Sequence, residues 1–388
     1  MSRSSAVILV SDPSAETGLS KPMLLHPIMG LPMLSWLAAS MAACGCERFF
    51  LVCGDRFLEQ AAACFPQGST VTTAEPENFS RPLRAFLSAE GCGESVTVVS
   101  GPVLILPRFA FGLHGGQAVS GAKNASPDAL LRALDGKLPL DACGEPCTDR
   151  DGWCAVPSAE SLVDFSPLVR RGVLDRLLQG GVEIWDPANC YVEPGVTVGK
   201  GTVLMPGTIL RGKTVIGEGC TVGPNTLLEN VTVGSGTSVN ASQLYDCTVG
   251  ENTAVGPFAY VRPGSEIGDG CKVGDFVEVK NSVIGNGTKI SHLTYVGDSD
   301  VGERVNFGCG TVTCNYDRAK KHRTVIGNDC FIGCNTNLVA PVTVGDGAYT
   351  AAGSTITEDV PENALAIARS RQTVKPDWAG SHKVKQKK

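Results

Sequence analysis

A histidine in the segment KISHLTYVG, His292, lies between two groups of basic residues. Arg262 and Lys280 precede it, and Lys321 follows it in a polar segment. A neutral imidazole accepts a proton from an attacking group at neutral pH, and fixed cations bind phosphorylated molecules. The combination indicates group transfer to an amine or a hydroxyl of an anionic small molecule.

The second basic group belongs to the segment TVTCNYDRAKKHR, residues 311–323, which interrupts a regular repeat. Its notable members are Asn315, Tyr316, Arg318, Lys320, Lys321 and Arg323. A loop that leaves a repetitive scaffold commonly carries function. On composition alone, a solvated charged turn is the alternative interpretation.

The repeat itself predicts the scaffold that positions these residues. From Tyr191 onwards, aliphatic residues recur every six positions, with a frame shift after Leu228: Val192, Val198, Leu204, Leu210, Ile216, Val222, Leu228, then Val249, Val255, Val261, Ile267, Val273, Val279, then Ile284, Ile290, Val296, and again from Ile326 to Ile356. Small or β-branched residues follow most of them by four positions, among them Thr202, Cys220, Cys271 and Cys330. This period is the hexapeptide signature of a parallel β-helix, in which three units make one triangular coil.

Composition supports a repetitive β architecture and excludes some classes of protein. The 388 residues include 46 Gly but only 13 Phe and 6 Tyr, which favours many tight turns. The net charge is −6, although residues 369–388 carry seven basic residues against Asp377. A basic tail on an acidic body is not the pattern of a nucleic-acid-binding domain, so no nucleic-acid partner is expected.

Sixteen cysteines without an export pattern at the amino terminus indicate reduced thiols and a cytoplasmic location. Residues 22–46 contain no charged residue, but several Pro and Gly interrupt them, which favours a buried helix over membrane insertion. The pairs Cys309/Cys314 and Cys330/Cys334 lack a second pair at zinc-finger spacing. Packed thiols and no metal site are therefore expected.

The remaining segments predict the domain organisation. Apolar, β-branched stretches indicate buried strands at Ala6–Val10, Phe49–Cys53 and Val96–Val99, with a helix over Met33–Cys44 and another over Ser161–Gln179. The predicted divisions are an α/β domain over 1–110, a poorly ordered connection over 111–150, a linking helix over 151–181, the β-helix over 182–360 and a basic tail over 361–388.

The segments HLTYVGD and TCNYD, together with YVRPGSEIG and VGDFVEVKNSVIGNGTKIS, resemble the acetyltransferase domain of the bacterial GlmU family. Members of that family are bifunctional UDP-N-acetylglucosamine pyrophosphorylases and glucosamine-1-phosphate N-acetyltransferases. The resemblance runs from about Gly181 to Lys388. It implies a left-handed β-helix, a homotrimer with sites between subunits, and acetyl-CoA as cosubstrate.

The resemblance also implies a role for each matching residue. His292 is expected to be the general base that deprotonates the 2-amino group of glucosamine-1-phosphate. The sugar phosphate and sugar are expected to contact Arg262, Lys280, Tyr295, Asn306 and Lys321. Acetyl-CoA is expected to contact Cys309, Asn315, Tyr316, Cys334, Ala352 and Arg369, and the backbone N–H of Cys309 is expected to stabilise the oxyanion. Cys309 and Cys334 stand where the family often has Ala and Ser.

The amino-terminal half resembles the start of the family's nucleotidyltransferase domain, but it departs from it at three places. Leu9–Leu19 (LVSDPSAETGL) replaces the Gly-rich phosphate loop, Asn78–Arg81 reads NFSR in the uridine-contacting stretch, and Gly101-Pro102 replaces a metal-binding Asp. Backbone N–H groups that cradle a triphosphate need such a loop. A shortened, degenerate Rossmann-like domain without uridylyl transfer is therefore expected.

Three alternatives remain at this stage. The chain is a bifunctional enzyme that binds the nucleotide in another way, a non-catalytic scaffold that regulates an active trimer, or a hexapeptide acyltransferase with another amino-sugar phosphate as acceptor. The full set of matching residues argues against the scaffold.

Overall fold

A computed structural model describes residues 4–11, 19–106, 117–156 and 158–382. The chain divides into two compact units. The first comprises Met1–Thr197 with Thr208–Lys213, and the second comprises Val198–Gly207 with Thr214–Lys388. Within the described residues, no helix is both long and apolar enough to cross a membrane.

The first unit is built on a mixed sheet. Four parallel strands come first in the order Thr70–Ala74, Cys46–Cys53, Ser4–Val10 and Val96–Val99, followed by the antiparallel Ala118–Ala125 and then Glu145–Thr148. The helices of this unit are Met33–Ala43, Asp55–Ala62, Ser80–Ser88, Pro127–Asp135 and Leu162–Gln179. The shorter strands are Pro27–Ile28, Leu31–Pro32, Val103–Ile105, Trp153–Ala155, Glu183–Ile184, Tyr191–Val192 and Ile209–Arg211, with Thr197–Val198 at the division between the units.

The structure confirms the three predicted strands and the helices predicted from Met33 and Ser161, but the linking helix predicted over 151–181 begins only at Leu162, because Trp153–Ala155 is a strand. Val7, Phe50 and Val98 of neighbouring strands pack in one cluster with Leu83 and Leu130 of two helices. All five side chains are almost completely excluded from solvent. Strands buried on both faces consist of continuous apolar residues, which is why they stand out in the sequence.

The prediction of a poorly ordered connection is wrong for residues 117–150, while 111–116 lie outside the described residues. Ala118–Ala125 is a strand of the mixed sheet, and a helix follows it from Pro127. The strand sequence AVSGAKNA is small and polar, so it carries almost no hydrophobic alternation. The sequence does indicate the start of the helix. Ser126 caps it by accepting a hydrogen bond from the Ala129 N–H, and Pro127 occupies its first turn.

The second unit is a left-handed parallel β-helix with three faces. Face A contains Val203–Leu204, Thr221–Val222, Ser238–Val239, Ala254–Val255, Lys272–Asp275, Lys289–His292, Asn306–Phe307, Phe331–Ile332, Tyr349–Thr350 and Leu365–Ala366. Face B contains Leu227–Glu229, Gln243–Tyr245, Tyr260–Val261, Glu278–Lys280, Tyr295–Gly297, Val312–Cys314, Asn337–Val339 and Thr355–Ile356. Face C contains Val215–Ile216, Thr232–Val233, Thr248–Val249, Glu266–Ile267, Val283–Ile284, Ser299–Val301, Thr324–Ile326 and Val342–Val344. The short helix Trp378–Ser381 follows.

The aliphatic residues of the repeat fill the interior, as the period predicts. Leu204, Val261, Val279, Ile290 and Val296 are fully buried, and their flanking residues face outwards. The apparent frame shift after residue 228 does not interrupt the β-helix. Short units there place Val233, Val239 and Leu244 inside instead. Strand Leu365–Ala366 also pairs with Tyr349–Thr350, so the coils continue past the predicted boundary at 360.

The buried Thr and Cys side chains of the small slot connect successive coils. The Thr253 hydroxyl donates to the Gly268 carbonyl (2.9 Å) and accepts from the Cys271 N–H (3.0 Å). The Cys271 thiol in turn approaches the Gly285 carbonyl at 3.2 Å. Burial raises the pKa of the Cys271 thiol, as it does for Cys220 and Cys330. These three cysteines are thus packed thiols, as predicted.

Replacement of Thr253 by Val should destabilise the β-helix by about 1–3 kcal/mol, because it leaves the buried Cys271 N–H without its acceptor. Thr253→Ser keeps the hydroxyl and should cost less. The measurement is the guanidinium chloride concentration at the midpoint of the unfolding transition of the β-helix. Equal midpoints for the Val and Ser variants would show that the hydroxyl contributes nothing.

Candidate active site

His292 is held by a neighbouring coil of face A. It ends strand Lys289–His292, whose neighbour Lys272–Asp275 places Asp275 directly in register with it. The His292 Nδ1 lies 2.6 Å from the Asp275 Oδ1, while 54% of the imidazole side chain stays exposed. The residue before Asp275 is Gly274, where a Cβ atom would collide with the Ser291 carbonyl oxygen. The close approach of these two coils therefore requires glycine.

The contact with Asp275 determines which imidazole nitrogen faces outwards for chemistry. A carboxylate accepts the proton of Nδ1–H, which leaves the lone pair on Nε2. The hydrogen bond from His292 lowers the pKa of Asp275, so the carboxylate stays ionised. Sequence reasoning missed Asp275. The sequence indicates Asp275 only through its position, because it lies 17 residues before His292, which is the length of one coil.

A second polar cluster lies on face B around the buried carboxylate of Asp298. Lys280 Nζ lies 3.2 Å from Asp298 Oδ2, and Asn281 Nδ2 donates to Oδ1 at 2.6 Å. Asn315 Nδ2 donates to the same carboxylate and lies 3.4 Å from the Tyr295 hydroxyl. Burial alone would raise the pKa of Asp298, but these hydrogen bonds outweigh it and lower the pKa. Asp298 was missed although it ends the HLTYVGD segment.

Lys280 also contacts Lys321, and this contact shifts the pKa values of the two amines in opposite directions. Contact with the Lys321 amine, together with Asp298, raises the pKa of Lys280, and contact with Lys280 lowers the pKa of Lys321. Arg262 lowers the pKa of Lys321 further. Arg262 itself pairs with Glu278 at 2.8 Å and lies over the Tyr260 ring. Lys280 and Arg262 are therefore both close enough to Lys321 for their charges to lower its pKa.

The inserted loop is tied to the β-helix. The Arg323 Nε donates to Asp300 Oδ2 at 2.8 Å, and its Nη2 donates to the Ser299 carbonyl at 3.0 Å. The His322 N–H donates to the Asn315 carbonyl at 2.8 Å, which closes the loop as a small hairpin. Arg323 thus has a structural role, whereas Lys321 lies beside Lys280.

The predicted acetyl-CoA positions Cys309, Cys334 and Ala352 lie with Asp275 and His292 in one outward column, here called the corner column. Each of its five members comes from a successive coil at the turn from face A to face B. The Leu293, Asn335 and Gly353 N–H groups donate across coils to the carbonyls of Asp275, Cys309 and Cys334 at 2.9, 2.8 and 2.8 Å. The Arg369 Cδ lies beside Gly353, 3.8 Å from the position of a Cβ there.

Two predicted residues lie away from these groups. Asn306 is on face A, in register with Lys289 and Phe331. Tyr316 is at the loop, 61% exposed, with its hydroxyl donating to the Arg318 carbonyl at 2.6 Å. The structure therefore groups Asn315 with the Asp298 cluster and leaves Tyr316 and Asn306 outside both groups.

The first unit has a small cavity at the carboxyl ends of its central strands. It measures about 60 Å³, and its described lining, residues 9–11, 22–24 and 100–102, contains no acidic residue. Gly101 packs directly against the backbone of Gly121, with a Cβ at Gly101 falling 3.1 Å from the Gly121 Cα. Residues 12–18 of the replaced phosphate loop lie outside the described residues. No group of three or more His, Cys, Asp or Glu in the described parts of either unit is arranged for a metal ion.

The fold and the repeat define a hexapeptide-repeat protein of the left-handed β-helix class. Residues 195–230, 246–281 and 323–358 match the family described as bacterial transferase hexapeptide (six repeats). The carboxyl-terminal half of the chain matches the acetyltransferase half of the bifunctional GlmU proteins.

Three such relatives illustrate the extent of the match. The bifunctional protein GlmU of Brevibacillus brevis is 49% identical over 245 residues, 63% of this chain and 53% of that protein. Those of Clostridium acetobutylicum (51% over 223 residues) and Clostridium perfringens (52% over 242 residues) cover 58% and 62% of this chain, and 49% and 53% of their own lengths. The chain thus spans about half the length of the curated relatives it matches.

Replacing Asp298 by Asn should loosen the inserted loop, because Lys280 and Asn315 lose a charged acceptor in a buried position. Hydrogen exchange at the His322 amide should rise at least about tenfold. The exposed Asp329→Asn, which breaks an ion pair with Arg304, is the matched control and should leave the loop unchanged.

The same network should respond to acid. Because the pKa of Asp298 in the folded protein lies below its ordinary value, its contribution is complete above about pH 4 and is lost as the pH falls through the folded-state pKa. Loop protection, corrected for intrinsic exchange, should therefore decline only in acid. Constant protection down to full protonation would contradict a role for the Asp298 charge.

Proposed function

We propose that this protein transfers the acetyl group of acetyl-CoA to the 2-amino group of glucosamine-1-phosphate, giving N-acetylglucosamine-1-phosphate on the route to UDP-N-acetylglucosamine. The observation that carries the proposal is the Asp275–His292 pair at 2.6 Å, an oriented base in a β-helix that also carries a cluster of basic residues. The match to the acetyltransferase half of GlmU proteins supports the choice of substrates.

In the proposed reaction, His292 Nε2 removes a proton from the amine as its nitrogen attacks the thioester carbon. Amines are mostly protonated at neutral pH, so a positioned base raises the nucleophilic fraction. Asp275 stabilises the imidazolium that forms. The tetrahedral intermediate then collapses with release of the CoA thiolate, and the backbone N–H of Cys309 is the assigned donor to the oxyanion.

The Lys280–Lys321 pair suits a sugar phosphate. With no anion bound, contact between the amines lowers the pKa of Lys321. A phosphate dianion placed between them would favour full protonation of both, so binding would be coupled to proton uptake. We assign Arg262, Tyr295 and Asn306 to the same substrate. The residues assigned to acetyl-CoA are Cys309, Cys334 and Ala352 of the corner column, with Asn315, Tyr316 and Arg369.

Self-association is part of the proposal. Phe258, Phe276 and Leu293 form an exposed ridge from three successive coils, with exposed fractions of 57–59%. The two Phe rings stack at 5.5 Å, and all three residues have positive φ, which is unusual for bulky side chains. Exposed apolar patches of this kind mark interaction sites. We propose that the ridge contacts a second copy of the chain in a homotrimer, which acts in the cytoplasm.

For the first unit we propose no uridylyl transfer. The Gly101–Gly121 contact supports this, because a catalytic cation needs a carboxylate ligand, whereas Gly101 has no side chain and packs against the Gly121 backbone. A bifunctional enzyme and a non-catalytic scaffold are the alternatives that the assays below distinguish.

The direct test is CoA release from acetyl-CoA and glucosamine-1-phosphate. His292→Ala should lower kcat about 10²–10⁴-fold, the range of general-base catalysis. Asp275→Asn should lower kcat at least about tenfold with little change in KM, because the amide favours the wrong imidazole tautomer.

A parallel assay measures pyrophosphate release from UTP and N-acetylglucosamine-1-phosphate, which should be absent. Pyrophosphate at a rate comparable to CoA release would support the bifunctional alternative. No product in either assay would support the scaffold alternative. CoA release only with other amino-sugar phosphates would show that the acceptor is not glucosamine-1-phosphate.

Phe258→Glu should convert the trimer to monomers in sedimentation velocity, because it places a charge in the buried centre of the proposed contact. Phe331→Glu is the matched control, an exposed Phe stacked on Tyr349 away from the ridge on face A. A trimer that survives Phe258→Glu unchanged would exclude the ridge as the contact.

A further inference from the structure

Two cysteines of the corner column differ in exposure from the buried cysteines of the β-helix, while Cys314, half-buried like Cys309, lies on face B outside the column. Cys334 is exposed and Cys309 is half-buried, whereas Cys220, Cys247, Cys271 and Cys330 are buried. Burial raises the pKa of all four buried thiols, which disfavours their reaction. Cys309 and Cys334 are thus the thiols that the column presents to solvent.

The register of the coils places these two cysteines opposite each other. Asn306 pairs with Phe331 and Phe307 with Ile332, and the Asn335 N–H donates to the Cys309 carbonyl at 2.8 Å. The pairing therefore extends to Cys309 and Cys334, whose Cα atoms stand one coil apart, about 4.8 Å. Disulfides span Cα separations of about 4.4–6.8 Å.

The same column shows that side chains at such positions meet. Asp275 and His292 are also one coil apart, with the same hydrogen bond from the following N–H to the first carbonyl. Their side chains approach to 2.6 Å. Gly308 brings the coils near the cysteines into close contact, since a Cβ there would lie 2.7 Å from the Cys334 Cα.

We propose that Cys309 and Cys334 form a reversible disulfide across the corner column, which closes the acetyl-CoA side of the site under oxidising conditions. The exposed Cys334 thiolate attacks a small-molecule disulfide and releases one thiol. The Cys309 thiolate then attacks the Cys334 sulfur of the mixed disulfide and releases the second thiol. Two protein thiols and one disulfide thus give one protein disulfide and two small thiols.

The effect on turnover rests on the proposed function, because it needs acetyl-CoA to bind along this column. A disulfide fixes both side chains against each other beside His292, so the donor loses its contacts there. Reducing thiols restore the open column, which makes the bond a switch that follows the thiol–disulfide balance of the surroundings.

The test treats the full chain with glutathione disulfide and maps the products by mass spectrometry after trypsin digestion without reduction. A background with Cys314→Ser and Cys330→Thr leaves one cysteine in each relevant peptide, 305–318 and 324–369. Thr288 occupies the same buried position of face A two coils away, so this change should preserve packing. The expected product is the linked pair of these peptides, prevented by prior addition of acetyl-CoA.

Turnover at fixed acetyl-CoA should fall about tenfold or more on oxidation and return with dithiothreitol. Cys334→Ser, which lacks the attacking thiol, should keep its own rate after the same treatment, while Cys314→Ser should lose activity like the natural chain. A persistent mixed disulfide, no linked peptide, or a linked enzyme with full turnover would overturn the proposal. The disulfide is detected by mass and not by activity. A chain that forms the disulfide but has no turnover even when reduced would therefore count against the proposed function alone.

Discussion

The hydrogen bonds between successive coils are the constraint on which the candidate site depends. They fix residues one coil apart at a spacing of about 4.8 Å. The aliphatic interior and the buried Thr and Cys side chains hold this spacing, since Thr253 joins its own coil to the next coil through Gly268 and Cys271. The site is therefore built on a scaffold that leaves its side chains little freedom to move apart.

This spacing makes the corner column a line of adjacent groups. It joins Asp275 to His292 as an oriented base, and it brings Cys309 to the level of Cys334. On the neighbouring face, the buried Asp298 carboxylate organises Lys280 and the inserted loop. A fixed anion at that place allows two lysines to stand together, because it offsets part of their repulsion.

The core of the first unit, with its four parallel strands, is independent of the segments at which the sequence departs from the expected nucleotide-binding pattern. Phe50, Val98 and Leu83 still pack in one core. Packing of such a core does not depend on the loops at the strand ends, so a fold persists while its site changes. The close Gly101–Gly121 contact occupies the place where the resemblance implies a carboxylate.

The sequence by itself determined the β-helix, the buried strands and the chemical types of the candidate site, because the period of six and the apolar runs are local patterns. It did not determine the strand Ala118–Ala125, whose small polar residues depend on pairing with Val96–Val99. Asp275, Asp298 and the Cys309–Cys334 pair also required the tertiary structure. Their partners lie 17 to 25 residues away, and for Cys309 and Cys334 the inserted loop of 311–323 also conceals the register from a count along the chain.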